Sequence, residues 1–401
     1  MSESESALLN LGNLEKIELF NNSNHPDEFK RISPSLITMD LTWNCNFNCK
    51  GCIDTVARDN SPVVRKNQGG SRISVLSDKR DGPVLNKQIA DSIIEYVKDS
   101  ANSVKGLQMM GGEVLMHPNI DDILNKLGEN EIQTAIITNG VLIKDHVRSL
   151  VSAFSTQNSM MRVSINGWES YSKRIGANSN VSPRDKLMEG LKLLSEEFLV
   201  KGIESPPVVI STVAFKDAQN EIPEIAENIA RTGITNYIII QERDATSKRI
   251  YDNDDRPKLI ELCKEANKKG KKINSKFQAK LTDNLLKERE PQSKTYQPCP
   301  STFFKALVGA DGWIYLCSDQ RGVKTARTVD ISKYSNSFKS AWESTERIEK
   351  TLSYAPLNYC HDLLCLRHDA NVKMHSLRCY KQWYNVGLLE IKSRKESPWW
   401  F

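Results

Sequence analysis

The period of the apolar positions changes repeatedly between residues 84 and 241. Leu85, Ile89, Ile93 and Val97 recur every four residues, which predicts one face of a helix. Gly106–Met110 is a short apolar run and predicts a strand, followed by a helix over Ile120–Leu127. Thr134–Thr138 predicts a strand ending in Asn139-Gly140, Leu142–Phe154 a helix, and Met161–Ile165 a strand ending in Asn166-Gly167. Ser182-Pro183 is a helix start, with Ser as cap and Pro in the first turn, and Leu187, Leu191 and Leu194 mark the buried face. Val208–Phe215 then predicts a strand, Ile222–Ile229 a helix and Tyr237–Gln241 a strand. Together with the apolar run Leu36–Trp43, that makes six strands alternating with helices. Such alternation predicts a parallel sheet with helices packed outside it, and ligands at the carboxyl ends of the strands.

The remaining stretches divide the chain. Residues 1–34 have little periodicity and are expected to be an extension ahead of a core over 35–245. Within that core, Thr55–Pro83 is polar and aperiodic, a loop of a length that is uncommon unless it has a function or is disordered. Residues 246–298 are heavily charged and are expected to form an outer helix and a bridge. Their run Lys268-Lys269-Gly270-Lys271-Lys272 reads as a solvated helix end before an anion contact. Cys263, one helical turn after Leu259, is expected in the core. From Cys299 to the end the pattern is that of a small cysteine-bearing domain.

Composition narrows the function classes. Apolar residues are 39% and charged residues 26%, as in a globular chain, and no apolar run is long enough to span a bilayer. The first six residues are acidic and polar, unlike a secretory or transit signal, so a cytoplasmic protein is expected. The net charge of +5 gives no indication of nucleic acid. The nine cysteines are clustered, which in a chain of this kind points to metal or redox chemistry before disulfides.

The first cluster is Cys45-Asn-Phe-Asn-Cys49-Lys-Gly-Cys52, three thiols on a loop leaving the first strand. Three soft ligands can hold three irons of a cubane and leave the fourth open. A structural zinc would need a fourth ligand, and His25 and His117 do not give a zinc-finger spacing. The C-x3-C-x2-C spacing resembles the signature of the radical S-adenosylmethionine (SAM) enzymes. Met110-Gly111-Gly112-Glu113 looks like that family's Gly-Gly-Glu segment, and Thr138-Asn139-Gly140 and Val163-Ser164-Ile165-Asn166 resemble its later strand ends.

The resemblance implies a six-stranded partial TIM-like barrel. It also implies a 4Fe-4S cluster on Cys45, Cys49 and Cys52, whose open iron chelates SAM. Reductive cleavage would give a 5′-deoxyadenosyl radical that abstracts hydrogen from substrate, with electrons from an external donor such as flavodoxin or ferredoxin. Glu113 would accept a hydrogen bond from the methionine ammonium, with Gly111 and Gly112 letting the backbone approach the ligand. Asn139 stands at a cofactor-side strand end, Ser164 and Asn166 would meet the ribose or carboxylate, and Gln241 the adenine. Gly51 stands where many members have an aromatic residue, and the 55–83 loop, with Arg58, Arg65, Lys66, Arg72, Lys79 and Arg80, is either a cap over the site or a surface loop.

Toward the carboxyl terminus, Ala310-Asp311-Gly312 is a turn between two short strands, a hairpin delivering Cys317. Phe338, Ala341 and Trp342 mark a helix face, and Cys360-His-Asp-Leu-Leu-Cys365 follows. This layout resembles the twitch extension, a shortened SPASM domain. It implies a second, auxiliary 4Fe-4S cluster on Cys299, Cys317, Cys360 and Cys365, with Cys379 a candidate replacement. Zinc bound by these cysteines with His361 and His368 is the rival. The closing Pro398-Trp399-Trp400-Phe401 is expected to pack on the barrel, or else to contact substrate.

The expected function is oxidation of a substrate by hydrogen abstraction followed by loss of an electron and a proton. The substrate is expected to be a small polyol, aminosugar or nucleoside-like metabolite, or otherwise a ribosomal peptide that becomes crosslinked. About 35 residues precede the first strand, few for a leader-binding domain, which favours the metabolite. A single-cluster, redox-neutral enzyme and a zinc-stabilised binding scaffold are the other classes. Glu242, Arg243 and Asp244 are unranked candidates for a general base.

Overall fold

The computed structural model describes residues 16, 19–20, 23, 25–47, 49, 82–170, 182–241, 256–282, 298–317, 321–322 and 324–354. Cys52, the loop over 55–81, Glu242–Asp244, Cys360, Cys365, Cys379 and the aromatic terminus lie outside these residues.

Six strands form where the pattern places them: β1 (Leu36–Thr42), β2 (Gly106–Gly111), β3 (Thr134–Thr138), β4 (Met160–Ser164), β5 (Val208–Ala214) and β6 (Asn236–Gln241). Between them run α1 (Lys87–Lys98), α2 (Ile120–Glu129), α3 (Val147–Phe154), α4 (Pro183–Val200) and α5 (Ile222–Arg231). Leu85 packs in the core but precedes its helix, because Asn86 caps α1 through the Gln88 amide. The first turn of the helix expected from Leu142 is a 3₁₀ turn, Ile143–His146, ahead of α3. The Ser182 hydroxyl caps α4 by accepting from the Asp185 amide at 3.4 Å, and Leu187, Leu191 and Leu194 are fully buried.

The sheet is larger than the alternation predicts. It continues through α6 (Arg256–Ile273) and β7 (Gln278–Leu281), then β8 (Lys305–Val308), β9 (Trp313–Tyr315) and β10 (Arg327–Asp330). The strand order is β10-β9-β8-β1-β2-β3-β4-β5-β6-β7. β1 to β7 are parallel neighbours in sequence order, so right-handed crossovers put every intervening helix on the same face. The result is an open partial barrel, an α/β fold whose sheet does not close. β7 was hidden in the expected bridge because its burial alternates over only four residues within a charged stretch.

Side-chain alternation divides the two faces. Ile37, Met39, Leu107, Met109, Ile136, Met161, Val163 and Ile210 share one core with the helices. The other, inner face carries Thr38, Asp40, Gln108, Met110, Arg162, Ser164 and Ser211. β8 runs parallel to β1 with Leu36 opposite Lys305, so the cysteine-bearing hairpin extends the barrel sheet itself. Gly312, at φ +78°, makes the expected turn. Phe338, Ala341 and Trp342, on α7 (Phe338–Trp342), are buried as the pattern predicts, and α8 (Thr345–Leu352) follows. The opening stretch is not a bare extension. Phe20, Phe29 and Ile32 form a second apolar cluster with Phe303, Phe304 and Ile348, and Lys16 Nζ donates to the carbonyls of Pro34, Asn102 and Ser103. These partners are far away in sequence, so no local period announces them.

Candidate active site

The loop that leaves β1 is built against the end of β2. Gly112 N donates to Thr42 O and Glu113 N to Asn44 O, both at 2.7 Å, continuing the strand pairing into the cysteine loop. A Cβ on Gly111, which has φ +140°, would overlap Thr42 O, and one on Gly112 would overlap Asn44 O. The close approach that requires these glycines is therefore to the chain's own backbone, and its effect is to fix where Cys45 begins. Asn44 is held from two more sides: its N–H donates to Thr42 Oγ1 at 3.0 Å, and its Oδ1 accepts from Gly82 N at 2.5 Å. Gly82 is the first described residue after the 55–81 stretch, and it stands beside the residue preceding Cys45.

Glu113 is buried, and its carboxylate accepts three hydrogen bonds. Oε1 takes the Leu115 amide (3.1 Å) and the Thr138 hydroxyl (2.6 Å), and Oε2 takes the Asn139 amide (2.8 Å). Burial pushes its pKa up, and the three donors pull against that. Glu113 thus ties the end of β2 to the end of β3. Asn139 carries the link onward: its Nδ2 donates to Asn46 Oδ1 at 2.7 Å, inside the cysteine loop. Asn46, Asn44 and Thr138 were not singled out from sequence, and the one signal for them was their place beside the motifs.

Cys45 and Cys49 are half-buried on this loop and pack against the main core. The Phe47 amide points at Cys45 Sγ, 3.4 Å away. Such an N–H is placed to donate to the sulfur of a metal-bound thiolate. Among the described residues no group of three potential ligands stands together, since the third thiol of the motif, Cys52, is outside them. On β4, Ser164 lies in register with Ser211 of β5 on the inner face, and Asn166 Oδ1 accepts from Val213 N at 2.9 Å. Gln241 ends β6 opposite Ala214.

Cys299 and Cys317, the described members of the second set, stand on the other side of the same strand. Cys299 packs on a small cluster of Trp43, Leu307, Ala310, Tyr315, Leu316, Ala326 and Tyr354, and Cys317 directly follows Leu316. Asp40, fully buried on the inner face of β1, accepts from the Trp43 indole at 3.0 Å and pairs with Arg321 at 3.3 Å. Cys263 is half-buried, with its thiol 3.6 Å from Ala279 O, and burial pushes its pKa up.

Residues 39–227 match the family model of the radical SAM superfamily. Over that stretch, just under half of the chain, the sequence is similar to radical SAM domains. Its fold is similar to that of the Streptococcus suis protein SuiB bound to S-adenosylmethionine, at 18% identity, with a TM-score of 0.53 over 83% of this chain and 73% of that one. SuiB bound to its precursor peptide SuiA gives 17% identity and a TM-score of 0.53 over 83% and 72%. No curated protein sequence matches. At these identities the likeness to SuiB is one of fold. Among the described residues no helix is long and apolar enough to cross a membrane.

The radical SAM family implies a 4Fe-4S cluster and SAM, and the residues present fit such a group. Two soft ligands stand on a braced loop at the carboxyl end of the sheet, one with an amide directed at its sulfur.

Proposed function

We propose that this protein is a radical SAM oxidoreductase with an auxiliary cluster. The carrying observation is that β1 links the two described cysteine segments: its end opens into the Cys45 loop, and the edge away from β2 pairs with the hairpin that delivers Cys317. Cys45, Cys49 and Cys52 would hold a 4Fe-4S cluster that binds SAM, and Cys299, Cys317, Cys360 and Cys365 a second 4Fe-4S cluster. Bound there, these groups would supply the electron that cleaves SAM, and hence the hydrogen-abstracting radical, and would take up the electron that an oxidised substrate gives up.

The chain's own residues position and shield. Gly111, Gly112, Glu113 and Asn139 hold the cysteine loop, and Ser164, Asn166 and Gln241 stand at the later strand ends, where they would meet the cofactor. The open inner face of the sheet would take the substrate. A small polar metabolite is the first substrate class. A peptide is the second, the class to which SuiA, the precursor peptide bound by SuiB, belongs.

An iron and sulfide count after anaerobic reconstitution tests this reading. The intact protein is expected to hold about eight irons and a Cys45→Ala/Cys49→Ala/Cys52→Ala variant about four. About four and none would remove the auxiliary cluster and, with it, the oxidative reading. A colourless protein without iron would leave the zinc-stabilised scaffold.

A further inference from the structure

Arg162 lies on β4 with Ile137 of β3 and Val209 of β5 as its register partners. Its neighbours Met161 and Val163 are fully buried in the helix-side core, so the Arg162 side chain points to the inner face. There, Nε donates to Ser211 Oγ at 3.0 Å. Ser211 is buried and its hydroxyl lies 3.5 Å from Val163 O, so Val163 O and Arg162 together fix its orientation. Among the described residues no carboxylate pairs with Arg162, and neither of its terminal nitrogens has an acceptor. Burial alone holds the guanidinium below its ordinary value, with no opposing charge beside it.

The acid placed on this face, Asp40, is already committed. Asp40 stands in register with Met110 on β2 and is paired with Arg321. The inner-face side chains of the strands between Asp40 and Arg162 at this level are Met110 and Ile137, which offer no charge. Arg162 is half-buried with no carboxylate beside it among the described residues, and its two terminal nitrogens form the fork that takes a carboxylate or phosphate side-on.

We propose that Arg162 anchors a carboxylate or phosphate group of the substrate inside the barrel. This rests on the radical SAM reading, in which SAM occupies the strand ends. Arg162 lies two residues below Ser164 on the same strand, roughly 7 Å deeper at the rise of a β-strand. It is therefore placed beneath the cofactor, where a substrate would be held.

The test uses the full chain, reconstituted and saturated with SAM, and titrated calorimetrically with inorganic phosphate and with acetate. One anion site is expected in the wild type, weakened roughly tenfold or more in Arg162→Gln and Arg162→Met, with SAM affinity unchanged. No site in the wild type, or equal binding by the variants, overturns the proposal. Loss of SAM affinity in the variants also overturns it, since Arg162 would then hold the carboxylate of SAM. Iron-free protein is titrated in parallel. If the chain takes up neither iron nor SAM, the enzyme reading fails, while the anion titration still decides the role of Arg162.

Discussion

Asp40 on β1 and Arg321, four residues past Cys317, form an ion pair at 3.3 Å across 281 positions of sequence. Asp40 is fully buried and the Arg321 side chain is 13% exposed, and the Trp43 indole completes the group just before the Cys45 loop. The pair joins the strand that opens into one cysteine set to the stretch that follows the other.

Removing one partner leaves the other charge buried. Arg321→Met and Asp40→Asn are each expected to lower stability by about 3–5 kcal/mol, and Asp40→Asn/Arg321→Met by less than the sum of the two. Urea unfolding of the four proteins gives the cycle. Additive losses would mean that the two residues act independently.

Gly111→Ala and Gly112→Ala each drive a methyl group into a backbone carbonyl that cannot move without dragging the cysteine loop. Each is expected to cost about 2 kcal/mol or more and to reduce iron uptake. Gly202→Ala is the control. Gly202 has φ +77° with nothing within 4 Å of the added atom, so it carries backbone strain of about 1–2 kcal/mol and should keep its iron. Denaturation midpoints and iron content measured together separate the two effects, and equal iron in all three variants would count against the loop's dependence on these glycines.

His117 is buried as a neutral ring, with Nε2 3.0 Å from Leu85 O and Nδ1 accepting from the Asn119 amide at 3.1 Å. Burial lowers its pKa from the ordinary 6.5. Below about pH 6.5 the unfolded chain therefore binds a proton that the folded chain resists. The contribution of His117 is complete above that pH and is lost as pH falls from it toward the lowered folded value, at up to about 1.4 kcal/mol per pH unit. Urea midpoints taken stepwise below pH 6.5 should fall more steeply in the wild type than in His117→Gln. Identical slopes would show that other groups carry the dependence.

The sequence by itself determined the alternating strands and helices, the cap of α4, the Asp311-Gly312 turn and the Cys45 motif. Each is written in neighbouring residues, through a period, a capping side chain or a spacing. The tertiary structure alone decided that β7 and the hairpin join the barrel sheet, and that Phe20 and Phe29 pack on Phe303. It also decided that the Gly-Gly-Glu segment braces the cysteine loop, and that Asp40 pairs with Arg321 while Arg162 meets no carboxylate among the described residues. These depend on which residues meet across the sheet and on how much water remains around a charge. Register and desolvation are properties of the folded assembly, and no short stretch of sequence encodes them.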